Sequence, residues 1–97
     1  MAIKVIVELQ AKPGRRDELS GLLERIIATE GPRQHGFLGS TRYEVLEDPD
    51  VLVEIADWAS AEARDMHMQQ AAATGAYVPL LELLAAPVRA TVISRLP

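Results

Sequence analysis

Apolar residues occupy the odd positions from Ile3 to Ala11 (Ile3, Val5, Val7, Leu9, Ala11), while the even ones are mostly polar (Lys4, Glu8, Gln10). A period of two marks a strand with one face in a core, so the spacing predicts a first strand here. Pro13-Gly14 breaks it, and from Arg15 the apolar positions Leu19, Leu22, Leu23, Ile26 and Ile27 follow helical spacing. That helix is expected to end near Gly31-Pro32, because a proline pushes the residue before it out of the α region.

Phe37 to Leu46 again alternates, with Phe37, Thr41, Tyr43 and Val45 on one parity and Arg42 and Glu44 on the other. Glu47-Asp48-Pro49-Asp50 supplies turn residues, and Val51 to Trp58 forms a third strand at hairpin distance, paired antiparallel with the second. Ser60 is a candidate N-cap for a helix that runs to about Ala73, before Thr74-Gly75. Pro79 suits the first turn of a short helix carrying Leu80, Leu81, Leu83 and Leu84, and Pro87 closes it. The tail from Val88 to Leu96 alternates once more and predicts a last strand.

The order β-α-β-β-α-β with a small extra helix is the ferredoxin-like α+β arrangement, a four-stranded antiparallel sheet with helices on one face. The sheet's bare face should then carry a parity that includes Ile6, Leu38, Leu52, Ala56, Trp58 and Ile93. So apolar a face calls for a partner, which predicts a homodimer through the sheet faces.

Composition narrows the classes further. The 97 residues suit one domain spanning 1–97, with one modest core. Without cysteine there is no disulfide, thiolate nucleophile or Cys-ligated metal. A net charge of -4, with no basic run longer than Arg15-Arg16, argues against nucleic acid or an anionic membrane as partner. No apolar run approaches the ~18 residues of a membrane span, and Met1-Ala2-Ile3-Lys4 enters a strand pattern without a signal-type segment. The expected location is cytoplasmic.

No nucleophile elbow, phosphate-binding glycine loop or H-E-x-x-H motif occurs. His35, beside Gly36, reads as a solvated turn residue without companion ligands, so no metal site is expected. His67 is more informative: helical spacing sets it beside Ala63, Arg64, Gln70 and Ala71, at the margin of the face covering the sheet. It is a candidate general base, with a satisfied packing histidine as the alternative. Trp58, the only tryptophan, ends the third strand, and Glu54 shares its strand face. A buried Glu54 needs an answering charge, for which Arg42 or Arg89 is the candidate. Met66 and Met68 are assigned to packing.

Taken in order, Lys12-Pro13-Gly14 leading into Asp17-Glu18-Leu19, then Gly36-Phe37-Leu38, Glu47-Asp48-Pro49, and Trp58 followed nine positions later by His67 resemble the antibiotic biosynthesis monooxygenase family of dimeric α+β barrels. The resemblance implies a homodimer whose subunits each enclose an apolar cavity between sheet and helices. Some members oxidise polycyclic phenols or anthrones to quinones with O₂ and no cofactor, others degrade haem or act on small signalling molecules. Two departures bear on activity. The haem-degrading branch resembles an Asn/Trp/His constellation, whereas this chain has Trp58 and His67 but no asparagine, which discounts haem degradation. Where quinone-forming relatives carry an asparagine four residues before the tryptophan, this chain has Glu54, able to donate a hydrogen bond if protonated or to act as base if ionised.

The resemblance thus implies a cofactor-free monooxygenase acting on a small aromatic substrate and O₂. His67 or Glu54 would be the base, Trp58, Phe37 and Tyr43 the flat walls, and Arg64 the support for developing negative charge. A non-catalytic ligand-binding or accessory dimer of a biosynthetic complex, and an oxygen-independent isomerase or cyclase, remain open.

Overall fold

The computed structural model describes residues 2–97. Strand β1 (Ile3–Gln10) leads into helix α1 (Arg16–Glu30), which a single 3-10 turn (Gly31–Arg33) closes. Strands β2 (Phe37–Val45) and β3 (Asp48–Trp58) form the hairpin, followed by helices α2 (Ala61–Thr74) and α3 (Val78–Leu81) and strand β4 (Arg89–Ile93). The sheet is antiparallel in the order β2-β3-β1-β4, the α+β ferredoxin-like fold. Among the described residues no helix is long and apolar enough to cross a membrane.

The signals read for α2 act as expected, whereas Gly31, before Pro32, keeps α-region angles (φ -53°, ψ -51°), and the chain tightens into the 3-10 turn instead of leaving the helical region there. The Ser60 hydroxyl accepts from the Ala63 N–H at 3.1 Å, capping α2, and Gly75 closes that helix at φ 70°. The hairpin differs at both ends. Its turn is the two-residue Leu46-Glu47, and Asp48-Pro49-Asp50 already belongs to β3, as a bulged start where the β2 register shifts between Glu44 and Val45. That irregular start anchors the β1–α1 turn, because Asp50 accepts the Ala11 N–H through its carbonyl at 2.7 Å and the Gly14 N–H through its carboxylate at 3.0 Å.

At the opposite end, Leu38 is an extra residue between the Phe37–Trp58 and Gly39–Asp57 pairs. A single insertion reverses every later side chain. Phe37 therefore shares the helix face with Trp58, whereas Thr41 and Tyr43 turn to the open face, which corrects the single parity expected for all of them.

The strand pairs β1–β3 and β1–β4 settle the two faces of the sheet. Under the helices lie Ile3, Val5 and Leu9 of β1 and Leu52, Glu54, Ala56 and Trp58 of β3. Leu52, Ala56 and Trp58 are thus core residues and not members of the open face. By register Ile6 and Ile93 lie on the open face as expected, joined there by Val53, Ile55 and Tyr43, so the face keeps its apolar character.

The core beneath the helices divides in two. One cluster gathers Leu9, Ala11, Leu19, Leu23, Leu52, Leu80 and Leu83; the other holds Ile3, Val5, Ala56 and Trp58. Val7 packs against both, and its partner on β3 is Glu54. A carboxyl in the middle of the covered sheet face interrupts the apolar layer at this point.

Candidate functional site

Between the two clusters opens a cavity of about 310 Å³. The floor is Val5, Val7, Leu9, Glu54, Ala56 and Trp58 from the sheet; α1 contributes Leu23, Ile27 and Glu30, and α2 contributes Arg64, His67 and Met68. Phe37, Tyr77, Leu80, Leu81, Val88 and Ala90 complete the wall. An apolar enclosure with a few convergent polar groups is the usual form of a small-molecule site.

His67 reaches this space because α2 runs close to the sheet. Ala63 and Ala71, one turn to either side of His67, are small, and at Gly36 (φ 87°) an added Cβ would stand 2.6 Å from the Ala63 Cβ. The imidazole is the one long side chain that this closely packed face buries, at 7% exposure. It lies tilted against Trp58, ring centres 5.3 Å apart, and Trp58 meets Phe37 edge to face at 5.1 Å. After the left-handed Gly75 the chain folds back, and the Tyr77 hydroxyl comes within 2.7 Å of His67 Nε2.

Burial governs the protonation of Glu54, His67 and Tyr77. It pushes the Glu54 carboxyl above its ordinary 4.5, partly offset by Arg42. It holds His67 below its ordinary value, a shift that Glu30 opposes and Arg64 reinforces. It lifts Tyr77 to about 12, with Glu54 and Glu30 adding to the rise. Glu54 Oε2 and His67 Nδ1 are both buried without a hydrogen-bond partner among the described residues. Unsatisfied polar atoms cost roughly 1–3 kcal/mol each, and in a cavity wall they are positioned to serve a ligand.

The structure therefore brings together Glu54, Trp58, His67, Phe37 and Arg64 of the six residues singled out in the sequence. Tyr43 is not with them: it is 48% exposed, pairs with Val53 on the open face, and forms no part of the cavity wall. Arg42, although the cross-strand neighbour of Glu54, stands 3.8 Å from Glu24 and makes no ion pair with Glu54. Arg89 pairs with Glu8 in the register. His35 is exposed, Met66 is 61% exposed and not packed, and Met68 lines the cavity. Tyr77 and Glu30 were not foreseen. The available signal was an aromatic two residues beyond a helix-stopping glycine, where the chain reverses over the last helical turns. No group of three or more His, Cys, Asp or Glu side chains is gathered around a common point among the described residues.

Comparison with known proteins finds the same fold elsewhere. The chain resembles Rv0793 from Mycobacterium tuberculosis, with 27% identity, 100% of this chain and 97% of that one covered, and a TM-score of 0.80. A conserved protein from Methanosarcina mazei Go1 shares the fold at 24% identity, 96% and 91% coverage and TM-score 0.80. So does SnoaB, a cofactor-independent oxygenase from Streptomyces nogalater, at 18% identity, 99% and 94% coverage and TM-score 0.81. No curated protein matches the sequence. The sequence pattern of one family, described as antibiotic biosynthesis monooxygenase, matches residues 2–77, and the chain belongs to that family.

Proposed function

We propose that the protein is a cofactor-independent monooxygenase that oxidises a polycyclic phenol or anthrone-type aromatic to a quinone with O₂, in secondary metabolism of polyketide type. The observation that carries this reading is the convergence of Glu54, His67 and Tyr77 on a mostly apolar cavity walled by Trp58 and Phe37. Such a substrate is its own reductant. Once deprotonated it passes an electron to O₂; the radical pair combines to a carbon-bound peroxide anion, which takes the abstracted proton back from the protein's base. The hydroperoxide then loses water, the distal OH leaving with the hydrogen of that carbon, to give the second carbonyl. The protein's part is to hold the rings flat, keep water away, remove a proton and steady negative charge, for which Arg64 is placed in the wall. The neighbour SnoaB, described as a cofactor-independent oxygenase, supports the same reading.

The test is oxygen uptake by metal-free protein with anthrones and hydroxynaphthalenes, beside an anaerobic control. Quinone formation that requires O₂ and falls 10²-fold or more in His67→Ala, the size of a lost general base, is the expected outcome. Turnover surviving the combined loss of His67 and Glu54 would overturn the reading. Ligand binding without turnover would indicate an accessory dimer, and turnover indifferent to oxygen an isomerase or cyclase.

A further inference from the structure

His67 separates two spaces. On one side is the apolar cavity; on the other a smaller hollow of about 220 Å³ lies between the end of α1 and α2, lined by Glu30, Gln34, Gln70, Ala71 and Thr74 together with His67. The imidazole is therefore a partition with an apolar site before it and a polar recess behind. Its Nε2 is occupied by the Tyr77 hydroxyl at 2.7 Å, and Nδ1 has no partner among the described residues.

A neutral imidazole offers one donor and one acceptor nitrogen. With the Tyr77 hydroxyl as donor and Nε2 as acceptor, the imidazole proton sits on Nδ1. In that arrangement the only lone pair of His67 able to take a proton is already covered by Tyr77. Tyr77 lines the cavity, and its oxygen keeps lone pairs with which to accept from a ligand hydroxyl.

Resting on the proposed proton abstraction from an aromatic hydroxyl, we infer that Tyr77 is the catalytic residue that receives the ligand's proton, while its own proton passes to His67 Nε2. The ligand O–H bond breaks and a Tyr77 O–H bond forms; the original Tyr77 O–H bond breaks and an Nε2–H bond forms. The products are a phenolate and an imidazolium, Tyr77 ends as it began, and no electron moves. The charged and titratable groups facing the pair are Glu30 from α1, Arg64 from α2 and Glu54 from β3. Glu30 lines both spaces and supplies negative charge beside the new imidazolium.

A redox-inert chromogenic phenol that ionises close to neutrality, 4-nitrophenol, separates the steps, because its visible band reports ionisation and quenching of Trp58 fluorescence reports binding. Wild-type protein is expected to bind it largely ionised near neutral pH. Tyr77→Phe and His67→Gln should each bind the probe but lower its ionised fraction at least tenfold, and the double variant should lower it no further. Ionisation intact in Tyr77→Phe but lost in His67→Gln would overturn the relay while leaving His67 as a direct base; loss only in Glu54→Gln would overturn it in favour of the carboxylate. A probe that binds un-ionised to wild type would defeat the proton-abstraction reading itself. Should Tyr77→Phe fail to fold, ¹⁵N spectra of His67 in the wild-type complex decide: imidazolium shifts are expected, and a neutral ring beside an ionised probe overturns the relay.

Discussion

Glu54 carries a cost that its neighbours relieve only in part. Its carboxyl is 9% exposed, Oε2 lacks a hydrogen bond, and Arg42 is drawn toward Glu24. Because burial raises its folded-state pKa above 4.5, the carboxyl is neutral in both states below that value, and the penalty sets in as pH rises through the folded pKa. Glu54→Gln should therefore be more stable than wild type at neutral pH, with Tm higher by roughly 4–8 °C for each kcal/mol recovered, and the gap should close near about pH 4. Calorimetry across that range checks it; a gap independent of pH would mean that ionisation is not the cause. Tyr77 gives a second reading at this scale. The chain has two tyrosines, so ultraviolet titration should show a step near pH 12 that Tyr77→Phe removes. Glu54, Trp58 and His67 stood out as candidates by residue type, spacing and the family resemblance, and the three line one cavity. The link from His67 to Tyr77 was not, since it depends on how the chain reverses after Gly75.

The elements hold these side chains through a few close approaches. Gly36 sits at φ 87°, its carbonyl accepts the Ala59 N–H at 2.7 Å, and its missing Cβ lets β2 begin directly against Ala63 of α2, one turn before His67. Gly36→Ala combines a left-handed backbone with a 2.6 Å clash and should cost about 3 kcal/mol or more. Gly14→Ala, at φ 76° with nothing within 4 Å of the added carbon, should cost about 1 kcal/mol. Urea melts of the two variants compare them, and equal losses would show that the α2 contact does not matter. The bulge at Leu38 belongs to the same scale: it puts Phe37 in the cavity wall and Tyr43 on the opposite face. Alternation predicts that a strand exists there, but an inserted residue leaves no mark in the pattern, so the two aromatics read as one set.

For the whole molecule the open sheet face is decisive. Ile6 and Ile55 are direct partners at its centre, flanked by Val53, Tyr43 and Ile93. We propose that a second copy covers this face. Sedimentation should give a dimer for wild type, and Ile55→Glu, which places a charge at the middle of the apolar patch, should shift it to monomer with helix content retained. A monomeric wild type would refute the proposal. Of the residues expected to make this face apolar, Ile6 and Ile93 lie on it while Leu52, Ala56 and Trp58 are core residues, yet the opposite parity of β3 is apolar as well.

What the sequence determined by itself is the succession of elements, because periods of two and 3.6, caps and prolines are local properties of the chain. It also determined which residue types were available for chemistry, with the resemblance supplying the family. The tertiary structure decided which face of each strand is covered, that the core splits around Glu54, and that Tyr77 rather than Tyr43 joins His67. These depend on register and on the return of the chain over a helix, and a β3 strand that is apolar on both parities does not encode its own inside.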